Sequence, residues 1–298
     1  MKTDIVRNNN GNHNLEELKA ELIEWKSGIG RARKTILACK YALDEFIKFT
    51  GNILVTEVKQ EMIEQFLIDG RRSDFSDSTV DQWRRNILSA FNRAKKKGYI
   101  TTNPAEDIEK LKIAPAERAQ PINQEQLRKL MKKIAGSHYE PVVKFMLWSG
   151  CRIDESCKIQ KRDVDLKSCV VYIRAGNTKS KQNREIPFKN HSGLKTLLNG
   201  LVNESTVAPL FESVINPGKS WHTDSVGKYL SRTFDALEMP WATAHTLRHT
   251  FAISLLVEGA PVWSVSRLLG HSSVTITENT YAHIIPQHAE EVMGMLPY

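Results

Sequence analysis

Cysteine is scarce: the chain has four (Cys39, Cys151, Cys157, Cys169), and no two form a Cys-x-x-Cys pair. That spacing argues against a zinc ribbon and against a disulfide framework. No stretch approaches the roughly 18 consecutive apolar residues of a membrane-spanning helix. The opening residues, MKTDIVRNNNGNHN, are polar and lack the apolar segment of a secretory signal. There is no internal repeat and no low-complexity tract. These absences leave a globular chain, expected to be cytoplasmic, with reduced thiols and no membrane partner.

What the sequence does have is positive charge. The 298 residues carry a formal net charge of +8, which suits a polyanionic partner. The excess sits in two places. Residues 71–99 hold eight Lys/Arg against three acids, and residues 158–195 hold ten against three. One basic stretch in each half fits a clamp around DNA better than a single basic tail would.

Apolar periodicity divides the chain. Residues 1–13 read as a disordered leader. Asn14 with Glu17 makes a capping box and opens a helix to about Trp25. Further helices are expected at about 32–49, from Thr56, and from Ser78 to Gly98. These four form a small helical domain over 14–100. Residues 101–121 hold three prolines and many charges and read as a linker. A second domain, 122–298, opens with a helix capped by Asn123 and Gln126, then one from Pro141. CVVYI and REIPF flank a basic hairpin tip, RAGNTKSKQN, and the chain is helical again from 221. The expected class is mainly α (α+β) with one small antiparallel sheet.

HTLRH, residues 245–249, places His245, Arg248 and His249 at i, i+3 and i+4 of a helix. Two such histidines suggest zinc. A metalloprotease helix, however, needs glutamate directly after the first histidine; here it is Thr246, and no third ligand is evident. No metal and no cofactor is expected. A phosphate clamp suits the neighbours better. SGCRIDE supplies Arg152 and Glu155, NTKSKQNREIPF supplies Lys179, SRLLGHSS supplies His271, and ENTYAHI supplies Tyr281.

In this order the boxes resemble the tyrosine recombinase (phage integrase) family, over about residues 14–298. The length is similar to that of Xer-type recombinases and short integrases. Ser156 and Lys158 depart from the leucine and glycine usual after the first arginine box. The resemblance implies an N-terminal core-binding (SAM-like) domain and a catalytic domain that exchanges DNA strands through a 3′-phosphotyrosyl intermediate. Tyr281 is implied as nucleophile, with Arg152 and Arg248 neutralising the phosphate. His245 and His271 are implied as phosphate ligands, with His245 a candidate acceptor for the phenol proton.

Lys179 is implied as general acid, with Lys181 its rival two residues on, and Glu155 as the residue orienting Arg152 and the histidine. His249 is expected to pack between helices. Arg84, Arg85, Lys95, Lys96, Lys97, Lys181 and Arg184 are the expected DNA contacts. The implied partner is double-stranded DNA with paired inverted half-sites, bound by a homotetramer on two sites. A topoisomerase IB-like relaxer and a catalytically idle DNA-binding factor are the alternatives. Beyond Tyr281, Pro286 suits the first turn of a short helix on which Ile285, Ala289, Val292 and Leu296 form an apolar stripe, expected to dock on a neighbouring protomer, with its own catalytic domain as the alternative.

Overall fold

The computed structural model describes residues 13–73, 75–111, 120–177, 183–204 and 206–281. Two compact units divide at Ala116/Glu117. The first contains α1 (Leu15–Gly28), α2 (Arg33–Thr50), α3 (Gln60–Arg72) and α4 (Asp77–Lys96). Asn14 caps α1 through the reciprocal bonds its spacing with Glu17 predicts: Asn14 Oδ1 accepts from the Glu17 N–H at 2.9 Å, and Glu17 accepts from the Asn14 N–H at 3.0 Å.

Two helix starts differ from the sequence reading. Thr56 lies in a short 3-10 turn, after which Val58 is extended, so α3 begins only at Gln60. Ser76, not Ser78, caps α4, because its hydroxyl accepts from the Thr79 N–H three residues on.

The first core joins Leu18, Leu22, Leu43, Phe46, Ile63, Ile87 and Phe91. Tyr41 on α2 is 46% exposed, its ring tilted against Trp83 with centroids 6.2 Å apart. The expected linker is shorter than 101–121. Ala105 and Ile108 are buried in this core, and Asn103 Nδ2 donates to Asn92 Oδ1 at 2.9 Å.

The second unit contains α5 (Gln124–Ile134), α6 (Glu140–Ser149), α7 (Ile153–Lys158), then β1 (Val164–Asp165), β2 (Val170–Ile173) and β3 (Arg184–Pro187). After these come α8 (Ser192–Leu201), α9 (Thr223–Asp235), α10 (Ala244–Val257), α11 (Val262–Leu269) and α12 (Val274–Tyr281). The sheet is antiparallel in the order β1-β2-β3, with Val171 opposite Ile186 and Ile173 opposite Arg184. The sequence reading anticipated β2 and β3 but neither the two-residue β1 nor α8. The latter is capped by His191, whose Nδ1 accepts from the Leu194 N–H.

Strand alternation turns Arg184 and Ile186 inward and Glu185 and Pro187 outward. A large core spans α5–α9 and the sheet. A smaller one joins Ala252, Ile253, Leu256, Val265, Leu269 and Tyr281. That smaller core packs α10, α11 and α12 together, and Tyr281 is its largest member.

Candidate active site

α6 ends at Gly150, whose φ of +66° is left-handed. The turn throws Cys151 and Arg152 out ahead of α7. Arg152 is the N-cap of α7, and the Glu155 carboxylate, three residues on, reaches back to accept from the Arg152 N–H at 2.9 Å. The same carboxylate takes the Arg152 guanidinium at 2.8 Å. Arg-x-x-Glu therefore works locally, through backbone and side chain of one residue pair. Ser156, one of the departures from the family pattern, fits here: its hydroxyl donates to the Arg152 carbonyl at 3.1 Å.

Glu155 has a second cation. Arg184 Nη2 and Nη1 reach it at 2.7 and 3.1 Å, and Nη2 also lies 3.4 Å from Cys151 Sγ. Burial by itself would raise the Glu155 pKa, but Arg184 and Arg152 prevail and bring it down to about 2. The carboxylate is ionised throughout the neutral range. Arg184 was expected on DNA; in this DNA-free structure its side chain is only 6% exposed and is held by Glu155. Gly270 packs on it, and a Cβ there would stand 2.9 Å from Arg184 Cδ.

Arg248, on α10, is 2% exposed. It donates to the Gly150 carbonyl at 2.8 Å and the Leu269 carbonyl at 2.7 Å, the ends of α6 and α11. Burial, with the charges of Arg152 and Arg184, lowers its pKa to about 10, still a cation at neutral pH. His271 follows Leu269 by two residues. Its Nδ1 lies 2.8 Å from the Thr277 hydroxyl. Burial and then Arg248, Arg152, His245 and Arg184 hold its pKa at about 4, so it is neutral. A cleft of about 1060 Å³ opens beside it, lined by Arg174, Arg184, Trp263, Arg267 and His271.

α10 begins at the Thr243 cap, whose hydroxyl accepts from the His245 N–H. His245 is exposed on its first turn. The expectation for His249 is corrected. It does not merely pack: its Nδ1 lies 2.8 Å from the Tyr281 hydroxyl. Its pKa falls to about 4 through burial and the nearby His245 and Arg248. Tyr281 is 1% exposed, and burial pushes it up to about 12 against the opposing charge of Arg248.

Among the described residues no group of three His, Cys, Asp or Glu is placed to hold a metal ion. Lys179, Lys181 and the stripe from Ile285 to Leu296 lie outside the described residues.

Arg84, another expected DNA contact, is held within its own domain in this DNA-free structure. Its guanidinium is buried against Asp81 at 2.9 Å and lies 3.5 Å from the Ile108 carbonyl. Arg85, Lys95 and Lys97 keep substantial exposure while pairing with Asp81, Glu106 and Glu21, and Lys96 is exposed. All four cysteines are free and buried. Among the described residues no helix is long and apolar enough to cross a membrane.

The sequence is 28% identical over 287 residues to the tyrosine recombinase XerC of Thermodesulfovibrio yellowstonii, covering 88% of this chain and 90% of that one. The fold superposes on the Tn1549 transposon integrase in complex with transposon right end DNA, with a TM-score of 0.76 at 20% identity, over 96% of this chain and all of that one. A lambda integrase tetramer bound to a Holliday junction matches with a TM-score of 0.75 at 17% identity, over 88% of this chain and 79% of that one. Residues 112–288, which hold every box from SGCRIDE to ENTYAHI, match the phage integrase family. The chain belongs to that family, the tyrosine recombinases.

Proposed function

We propose that Tyr281 attacks a DNA phosphodiester and stays bonded to the 3′-phosphate, with the freed 5′-hydroxyl of another strand later displacing it. The reaction class, site-specific DNA recombination, is that of the family. The residue roles are our reading. One observation carries them: Arg152, His271 and Tyr281, drawn from 130 residues of sequence, gather around the buried Arg248. Arg248 acts electrostatically on both His271 and Tyr281, and Arg152 acts on both Arg248 and His271.

The chemistry suits these groups. Attack builds negative charge on the non-bridging phosphate oxygens. Arg152 and Arg248 are fixed cations that need no metal to offset that charge. Neutral His271, its Nδ1 engaged by Thr277, has its other ring nitrogen for a phosphate oxygen. Holding the phosphoryl group on tyrosine conserves the energy of the broken bond for rejoining. Lys179 is the proposed acid for the departing 5′-oxygen, with Lys181 as the other hairpin candidate.

The partner is DNA, since the chain is basic and the solved relatives named above were captured on DNA. Paired inverted half-sites and a tetramer on two of them are the proposed assembly, in cytoplasm or on the nucleoid. A nicked suicide duplex, from which the cleaved flank diffuses away, tests the nucleophile. Wild type should give an SDS-resistant protein–DNA complex, and Tyr281→Phe should bind the duplex yet give none. Equal trapping by the Phe variant would sink the assignment.

A further inference from the structure

His249 is the member of HTLRH to which the family resemblance gives no chemical task. Yet its Nδ1 touches the oxygen that must react, 2.8 Å from the Tyr281 hydroxyl, with the two rings edge to face at 5.7 Å between centroids. On its other side, one helical turn back, the His245 ring stands edge to face at 4.9 Å. The three rings form a row that starts at a tyrosine with 1% exposure and ends at an exposed histidine.

We propose that His249 is the base that takes the phenolic proton from Tyr281 during strand cleavage, and that His245 is the next group on that proton's way out. The inference rests on Tyr281 being the nucleophile. As the tyrosine oxygen forms its bond to phosphorus, its O–H bond breaks and the proton moves to His249 Nδ1. The electron pair stays on oxygen and enters the new P–O bond. The imidazolium then sheds a proton from its other nitrogen toward His245, where water has access. Rejoining runs the same transfers backwards.

The electrostatics are consistent with this order of events. Burial with the neighbouring cation and imidazole keeps His249 neutral, and the proposal takes the tautomer protonated at Nε2, in which Nδ1 has a lone pair to accept the Tyr281 hydroxyl at pH 7. Burial also keeps Tyr281 protonated before attack, so no phenolate is stored in the resting site. A weak base cannot strip such a phenol in advance. It need not, because an oxygen bonded to phosphorus is far less basic than a phenolate, and the transfer becomes downhill as that bond forms. His245, exposed on the first turn of the helix, is then left to the phosphate for most of the step.

The test measures covalent-complex formation by the full chain on the suicide duplex at saturating DNA. His249→Phe keeps a ring of similar size, and His249→Asn keeps a hydrogen-bonding group but is no base. Both should bind DNA as wild type does and form the adduct about 10²–10⁴-fold more slowly. Replacing Tyr281 by a fluorinated tyrosine, whose phenol is more acidic, should recover much of the loss in His249→Asn while changing wild type less. Near-wild-type rates for His249→Asn would overturn the proposal, because holding the hydroxyl would then suffice. A slow His249→Asn that fluorination does not rescue would also overturn it, leaving a packing role. An adduct formed by Tyr281→Phe would instead strike down the nucleophile, and this inference with it.

Discussion

At the scale of single residues, the site depends on a position with no side chain. Gly150 ends α6 in the left-handed region, and its carbonyl is one of the two that hold Arg248. A Cβ there would sit 2.4 Å from Phe251 Cδ1, closer than any real contact. Gly150→Ala should therefore combine left-handed strain, about 1–2 kcal/mol, with overpacking of about 1–3 kcal/mol. Gly136 is the internal control: its φ is +74° but nothing lies within 4 Å of its would-be Cβ. Gly136→Ala should lose only the strain. Urea denaturation of the two variants checks this, and equal losses would show that the Phe251 contact relaxes freely.

His249 shows how far a single residue can be read in advance. Its place on the face shared with His245 and Arg248 follows from helical spacing. Its contact with Tyr281 does not, because the two are 32 positions apart and meet only where α12 folds back on α10.

At the scale of elements, the joint between β3 and α7 organises the site. Glu155 is 1% exposed and binds one arginine from each element. Its pairing with Arg152 was legible, since the two stand at i, i+3. Its pairing with Arg184 was not, because basic residues near a hairpin tip usually face solvent. The alternation in REIP did contain the signal: Arg184 shares the inward face with Ile186.

This joint makes acid stability predictable. The Glu155 pKa is lowered from 4.5 to about 2 by folding, so the stability it contributes is fully present above about pH 4.5. That contribution, on the order of 3 kcal/mol, should be lost as pH falls toward 2. Glu155→Gln should flatten that part of a stability–pH curve and also leave Arg184 buried without its counter-ion. A Gln variant whose stability still falls along the wild-type slope between pH 4.5 and 2 would mean that other carboxylates carry the effect.

At the scale of the molecule, the division into two units and the α-rich class could be read from capping signals, the proline-bearing segment and helical periodicity. What could not be read was which cations are free. Net charge counts Arg84 and Arg184 equally with Lys96, yet both arginines are buried and paired while Lys96 is exposed. Only exposed cations can exchange condensed counter-ions for protein contacts, so only they should contribute to the salt dependence of DNA binding.

In a titration of affinity against salt, Lys96→Ala should reduce the log–log slope by about 1 while leaving the unfolding midpoint almost unchanged. Arg84→Ala should do the reverse. It removes a buried partner of Asp81, whose other cation is the more exposed Arg85, and should cost up to about 3 kcal/mol of stability with the slope preserved. A reduced slope in Arg84→Ala at unchanged stability would mean that this arginine leaves Asp81 for a phosphate when DNA arrives. The sequence reading would then be right about its partner, and the buried ion pair would belong only to the DNA-free state.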